Sequence, residues 1–406
     1  MIRSLRGVKK SSSPRNVALQ HKGKTYSGDG QKANVFNAHY AAVSRHVFTK
    51  EERGREREVR KALTIYNRTA RPDDERGDPV AGDFVRSEME QALKAMKKKG
   101  AAGPDQICPQ FLHQLGDAAK DWLLGCINLS WRTGESPQAW RDATIAPIPK
   151  PGKPPGEIES HRPIALTSCI AKLMEKMVAN RLKHAAETAG LWNRDQAGFR
   201  SQRSTMDQVL RLSQNLSDGF QRRKPADRTV LALLDFSKAY DTVWRADLLN
   251  SMLKKGVHPR LVRWVKGFLV NRRARVRLNG TYSRWRLYRE GVPQGSVLAP
   301  LLFLFVIDDL QSRIPGGVYI SLYADDVALW YSAPTLMQAQ RLVEQSVTQV
   351  FRWSHEKKLA LNLSKCKVSF FSGSTHEASW RPTVTVDGKL LDYDPELVFL
   401  GVTTAP

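Results

Sequence analysis

The clearest hydrophobic signal along this chain is an uninterrupted run, Thr229–Leu234 (TVLALL), that ends on a carboxylate, Asp235. A continuous run, as opposed to an alternating one, predicts a strand buried on both faces. Two more apolar strands, Val318–Tyr323 and Val327–Tyr331, are predicted with only Ala324-Asp325-Asp326 between them. Helical spacing appears at Leu248, Leu249 and Leu253, and again at Leu261, Trp264, Val265 and Phe268. Pro300 starts an apolar helix, LLFLFVIDDL. Arg275–Leu278 and Trp285–Tyr288 read as hairpin strands around Asn279-Gly280. The order β–α–ββ–α–β predicts an α+β sheet with helices on one face.

Upstream, Met89, Leu93 and Met96 share one helical face, and KKKG ends that run. The breaker cluster 101–107 (AAGPDQI) leads to helices over Pro109–Leu115 and Trp122–Trp131. Two extended segments in 144–168 flank a Pro/Gly loop, PGKPPGE. Helices follow over Ala171–Glu187 and Thr205–Phe220, separated by a Gly-containing turn, Gln196–Arg203. Residues 1–85 are basic and rich in mixed charge, which predicts a loosely ordered extension, with a solvated helix within Lys50–Arg60.

Charge changes the picture of what such a chain meets. The 64 Lys and Arg against 40 Asp and Glu leave +24, which points to a polyanion, nucleic acid above all. An anionic membrane surface is the alternative, but no apolar run nears the ~20 residues that span a bilayer. From Lys254 to Arg289 there are twelve Lys or Arg and no acid, interleaved with Trp264, Phe268, Tyr282, Trp285 and Tyr288. Such a stretch can hold phosphates and stack bases. It can equally be a core with a solvated basic face, and the helically spaced Trp264 and Phe268 favour the core. Cys108, Cys126, Cys169 and Cys366 lie far apart without a C-x-x-C, so neither a zinc site nor a redox pair is implied.

The candidate chemistry is carboxylate chemistry. Asp325 and Asp326 sit at the tip between two apolar strands, and Asp235 leaves a third. Carboxylates beside buried strands are costly unless a cation pairs with them. If the strand ends are neighbours, three carboxylates converge, which suits Mg²⁺ shared with substrate phosphates. An Asp pair in a turn is usually just solvated. Asp73-Asp74 in a polar loop and Asp308-Asp309 at a helix end are such pairs, and neither is flanked by buried strands.

Around those carboxylates, LLDFSKAYDTVW (233–244), GVPQGSVLAPLLF (291–303) and SLYADDVALW (321–330) resemble motifs A, B and C of reverse transcriptases. LNLSKCK (361–367) resembles motif D, and FLG (399–401) the start of motif E. GPDQI (103–107), PIPKPGKP…HRPIAL (147–166) and QAGFRSQRSTMDQV (196–209) are similar to the fingers motifs. The resemblance covers about 95–401 in the family's order. It is strongest to the non-LTR (LINE-type) retrotransposon enzymes, and the wording of motifs A and B is similar to the trypanosomatid ingi-type group.

The resemblance implies a right-hand polymerase fold: an antiparallel palm sheet backed by helices, and fingers. It divides the chain into the extension (1–85), extension helices and fingers (86–228), palm (229–372), and the end of the palm leading toward a thumb (373–406). It implies RNA-directed DNA polymerase activity on an RNA template, a DNA primer and dNTPs, with two Mg²⁺ ions (Mn²⁺ as a substitute), in the cell and in its nucleus. Asp235, Asp325 and Asp326 would hold metal with the Phe236 carbonyl. Tyr240 would be the steric gate against ribose, and Lys150, Arg162, Arg200, Gln294 and Gly295 would contact the dNTP. Lys365 would donate a proton to pyrophosphate. Motif B has Ala299 where Ser is commoner. The resemblance leads one to expect a thumb after FLG, and an endonuclease, RNase H or zinc knuckle nearby. None is legible, so a truncated, weakly active RNA-binding remnant is the competing expectation. Oligomeric state is left open.

Overall fold

The structure, a computed structural model, describes residues 17–69, 78–222, 226–377 and 379–404. Its centre is a five-stranded sheet ordered Asp392–Tyr393, Lys367–Phe371, Arg228–Leu234, Asp326–Ala333, Tyr319–Tyr323. All neighbours are antiparallel except the first pair. Arg228–Leu234 occupies the middle, which explains its unbroken apolar run. Val230, Ala232 and Leu234 enter the main core, with helices Ala299–Ile307 and Leu336–Glu356. Leu231 and Leu233 face the other way, toward Leu212 of helix Thr205–Gln221 and the hairpin residues Leu397 and Phe399. The sheet is therefore covered on both faces, not on the one expected. A strand with no polar side has no face to give to water.

Helix Ala299–Ile307 is buried all round. Helix Leu336–Glu356, not anticipated above, is amphipathic and sets Ala339, Val343, Val347, Val350 and Trp353 on the core. That i, i+4, i+8 spacing was the signal for it.

A second sheet is ordered His161–Thr167, Ala143–Pro149, Arg272–Leu278, Thr281–Tyr282, with Arg286–Tyr288 also pairing Arg272–Leu278. Asn279 and Gly280 turn the chain at φ +48° and +85°, and Arg277 pairs Tyr282 directly. The hairpin thus returns sooner than expected and pauses at Ser283, whose buried hydroxyl accepts from Val276 N–H.

The expected loose order of residues 1–85 does not hold for the described part. Strands Leu19–His21 and Lys24–Tyr26 precede helices Asp29–Val43 and Arg53–Thr69. Ala33, Phe36 and Tyr40 pack on the second sheet against Ala143, Ile145, Ala165, Ala274 and Val276. In Arg53–Thr69 the mixed charges are the wet face, while Val59 and Leu63 are buried. Tertiary burial overrides a polar composition. Residues 1–16 and 70–77, including Asp73 and Asp74, lie outside the described residues.

Candidate active site

Strand register builds this site. Leu234 pairs Val327, so Asp235 leaves its strand beside Asp326. On the other side Lys367 pairs Leu233, which sets Lys365 beside Asp235. Lys365 Nζ lies 3.0 Å from Asp235 Oδ2. Three adjacent strand ends thus bring a carboxylate, a carboxylate pair and an ammonium together. Asp326 is itself paired with Tyr323, so the loop is only Ala324-Asp325.

That loop is held in an unfavourable backbone. Ala324 sits at φ +59°, a region that costs a non-Gly residue about 1–3 kcal/mol. The Gly-containing turn after helix Cys169–Thr188 supplies the restraint. Ala197 N–H donates to Leu322 O (2.9 Å), and Leu322 N–H to Asp195 O (3.1 Å). Gln196 Oε1 accepts from Gly198 N–H (2.8 Å) and Ala324 N–H (3.4 Å).

Burial pushes the Asp325 carboxyl above the ordinary range, and repulsion from Asp235 adds to it. Asp326, more open, is raised by loss of hydration, then by Asp325 and Asp235. Among the described residues no three His, Cys, Asp or Glu side chains stand close enough to hold a metal ion by themselves. Lys365 draws Asp235 toward itself. The donor set nevertheless fits a hard divalent cation. It offers oxygens only, mutually repelling, at a cavity wall, and Mg²⁺ takes one or two carboxylates with substrate phosphates and water completing the shell.

The cavity is about 600 Å³ and is bordered by Asp235, Phe236, Tyr240, Asp325 and Lys365. Across from them stand Lys150 and Arg162. Ile148 pairs Arg162 and Pro149 pairs His161, so the hairpin carries both cations at one tip. Burial, and then Lys365, Arg162 and Lys238, pull the Lys150 ammonium below its ordinary value. Lys150, Arg162, Lys238 and Lys365 bordering one cavity make an anion-seeking site.

Tyr240 stacks on Phe303, centroids 4.9 Å apart, while still bordering the cavity. Burial raises its phenol, helped by Asp325. Gln294 donates to Asp241 Oδ2 (2.8 Å), and its carbonyl accepts from Ala165 N–H (2.8 Å). Gly295 sits at φ +105°, and a Cβ there would meet Ala165 O at 2.8 Å. The close approach this glycine permits is to strand His161–Thr167. Gly291 is fixed likewise, since a Cβ would lie 2.4 Å from Asp241 O.

Arg200 is not brought to the cavity. Its guanidinium is bidentate to Glu187 (2.8 and 3.1 Å) and donates to the carbonyls of Asn193 and Gln196. It braces the turn behind Asp325, and its neighbour Phe199 borders the cavity instead. Phe236 turns its ring into the core toward Trp353, leaving only its backbone available as a ligand.

Other residues here had not been singled out. His39 and Tyr40 of helix Asp29–Val43 form a wall of the cavity. Glu175, fully buried, accepts from Ser296 Oγ (2.5 Å), Val297 N–H (2.7 Å) and Leu298 N–H (3.2 Å). It thereby holds the turn that leads from Gln294 and Gly295 into helix Ala299–Ile307, whose first N–H, that of Ala299, donates to Ser296 Oγ. A legible signal existed: Glu175 falls on the buried stripe of Ala171, Val178 and Leu182.

Residues 148–404 match the family model described as reverse transcriptase (RNA-dependent DNA polymerase). Similar proteins include the probable RNA-directed DNA polymerase from transposon BS of Drosophila melanogaster, 33% identical over 78% of this chain and 35% of its own. Another is the RNA-directed DNA polymerase from mobile element jockey of Drosophila funebris, 29% identical over 80% of this chain and 35% of its own. The type-1 element R2 Pol polyprotein of Nasonia vitripennis is 23% identical over 71% and 27%. The chain spans about a third of the length of the first two. With the motif series and the carboxylate-lined strand ends in one place, the chain belongs to the reverse transcriptase family, among the polymerases of non-LTR retrotransposons.

Proposed function

We propose that this chain is the polymerase core of a non-LTR element, adding dNTPs to a DNA primer on an RNA template. The observation that carries this is the register that sets Asp235 beside Asp326 and Asp325, facing the Lys150–Arg162 tip across one cavity. In this reading the central sheet is the palm and the second sheet the fingers, with Leu19 and helix Asp29–Val43 buttressing the latter. Asp235 and Asp325, with Asp326 and the Phe236 carbonyl, hold two Mg²⁺ ions, for which Mn²⁺ can substitute. Bound there, the ions make the primer 3′-hydroxyl a better nucleophile and neutralise charge on the departing pyrophosphate.

The chain's own residues do the rest. Lys150 offers the triphosphate a point charge and Arg162 a fork of donors. Tyr240, backed by Phe303, excludes a ribose 2′-hydroxyl. The Gln294–Gly295 turn, tied to Ala165 and Asp241, forms the floor under the nucleotide. Lys365, whose ammonium pairs with Asp235, gives a proton to the departing pyrophosphate. The setting of the reaction is the nucleus.

The test is primer extension by the purified chain on an RNA template with dNTPs and Mg²⁺. Extension is expected, with Asp325→Ala slower by about 10³-fold. A folded chain that does not extend, or an Asp325→Ala variant as active as wild type, would remove the reading.

A further inference from the structure

Glu175 differs from the other buried carboxylates of this chain. Asp142, Asp195, Asp227, Asp247 and Asp308 each pair with a Lys or Arg. Glu175, at 0% exposure, forms no ion pair among the described residues. Its Oε2 accepts instead from Ser296 Oγ, Val297 N–H and Leu298 N–H. Burial pushes the carboxyl above its ordinary range, and the Ser296 hydroxyl opposes that most. An acid buried without a cation is costly, and an uncharged side chain of similar volume would fill the space at less cost. What the carboxylate supplies is a hold on three successive residues of one turn.

That hold adds to another made by the same stretch of chain. Ala165 N–H donates to Gln294 O (2.8 Å), and Gly295 lies against Ala165 O. Ser168 joins strand His161–Thr167 to helix Cys169–Thr188, its hydroxyl accepting from Ile170 and Ala171 N–H (3.2 and 3.3 Å). Arg162, Ala165 and Glu175 therefore belong to one strand-cap-helix unit. Arg162 borders the cavity, and the other two grip the turn 294–298 at its two ends. The approach to the turn is fixed separately. Val292 N–H donates to Tyr240 O (2.8 Å), and the Gln294 side chain to Asp241. Gln294 and Gly295 are strung between the segment that follows Asp235 and the unit that carries Arg162.

We propose that Glu175 is a positioning residue for the incoming dNTP, locking the Gln294–Gly295 turn to the segment that carries Arg162. The inference rests on the polymerase reading and deepens it. The phosphate contact and the floor under the nucleotide become one unit, set before the nucleotide arrives. Without Glu175 the far end of the turn is released, and binding must order one or two residues of backbone that the wild type holds in advance. Asp235, Asp325 and Asp326 stand at strand ends of the central sheet and keep their own ladder bonds. The effect therefore falls on dNTP affinity and much less on turnover.

The experiment is single-nucleotide incorporation on an RNA template with a DNA primer, reading kcat and dNTP KM separately. Glu175→Ala should raise KM roughly tenfold to a hundredfold, with kcat within about threefold of wild type. Glu175→Gln, which keeps an oxygen at the same reach, should restore most of the lost affinity. Glu175→Asp keeps the charge but falls a methylene short, and should not restore it. Leu182→Ala opens a cavity two turns along the same helix, and should lower the urea midpoint without moving KM. Ser296→Ala and Glu175→Ala cut one link, so their effects on KM should be far from additive. Backbone hydrogen exchange without nucleotide should quicken across 294–299 in Glu175→Ala and stay unchanged across 320–326. An unmoved KM in folded Glu175→Ala, a Glu175→Asp chain equal to wild type, a KM raised as far by Leu182→Ala, or additive effects would each overturn the proposal. If Glu175→Ala does not fold, the contrast of Gln with Asp decides. A wild-type chain without synthesis removes the polymerase reading, and the anchoring of the turn then stands or falls on the exchange rates.

Discussion

Gly198→Ala tests how tightly the Asp325 turn is held. Gly198 is buried, and an added Cβ would lie 2.4 Å from Ala324 N, 3.0 Å from Tyr323 C and 3.2 Å from Ala324 Cα. These are backbone atoms, so no side chain can swing aside. Ordinary contact is about 3.5 Å, so the turn or the Gln196–Gly198 segment must retreat by about 1 Å. The segment cannot retreat freely, because Ala197 N–H is bonded to Leu322 O on the same strand. Overpacking of this kind costs about 1–3 kcal/mol of stability. A shift of about 1 Å in Asp325 relative to Asp235 costs about 10²-fold in turnover. Urea midpoints and steady-state primer extension read the two effects separately. Gly125→Ala, where a Cβ meets nothing within 4 Å in helix Asp117–Thr133, is the control and should gain a little stability. If Gly198→Ala extends primers at the wild-type rate, the turn is not the rigid support described above.

Three further outcomes are expected. Tyr240→Ala should raise rNTP use relative to dNTP by about 10–200-fold in single-nucleotide incorporation, the range for one pocket contact. Unchanged sugar selectivity would place the gate elsewhere. Saturating Mg²⁺ should raise thermal stability by relieving repulsion among Asp235, Asp325 and Asp326, by about 2.7 kcal/mol at a hundredfold over Kd, and Asp325→Ala should lose most of that gain. Burial pushes the Asp241 carboxyl from 3.8 up to about 7, so in that interval the folded state holds a proton that the unfolded chain releases. Its contribution to stability therefore falls as pH rises from about 4 to about 7. Asp241→Asn, which keeps an acceptor for Gln294, should flatten that fall in urea midpoints, and an unchanged slope would contradict the burial argument.

The elements nearest the chemistry were legible because their patterns are local. An unbroken apolar run ending on Asp235 and a two-strand tip carrying Asp325 and Asp326 announce buried strands by composition alone. Asn279-Gly280 announces its turn by backbone chemistry. Less visible was anything whose reason lies far along the chain. Helix Asp29–Val43 looks like a polar extension until the second sheet is there to receive Phe36 and Tyr40. Arg200 reads as one more cation of a substrate site, and only folding shows Glu187 facing it. Trp264 and Trp285 share one basic stretch, yet the first is 1% exposed and the second 38%.

By itself, then, the sequence determined the family, the strands and the identity of the carboxylates, since each is carried by neighbouring residues and their period. The tertiary structure decided which strand ends are neighbours and which cations keep a partner. It also decided which glycines are compulsory: Gly198, Gly291 and Gly295 each meet backbone distant in sequence. Those outcomes depend on contacts between distant segments. Such contacts are set by register and burial across the whole sheet, and no local window of residues contains them.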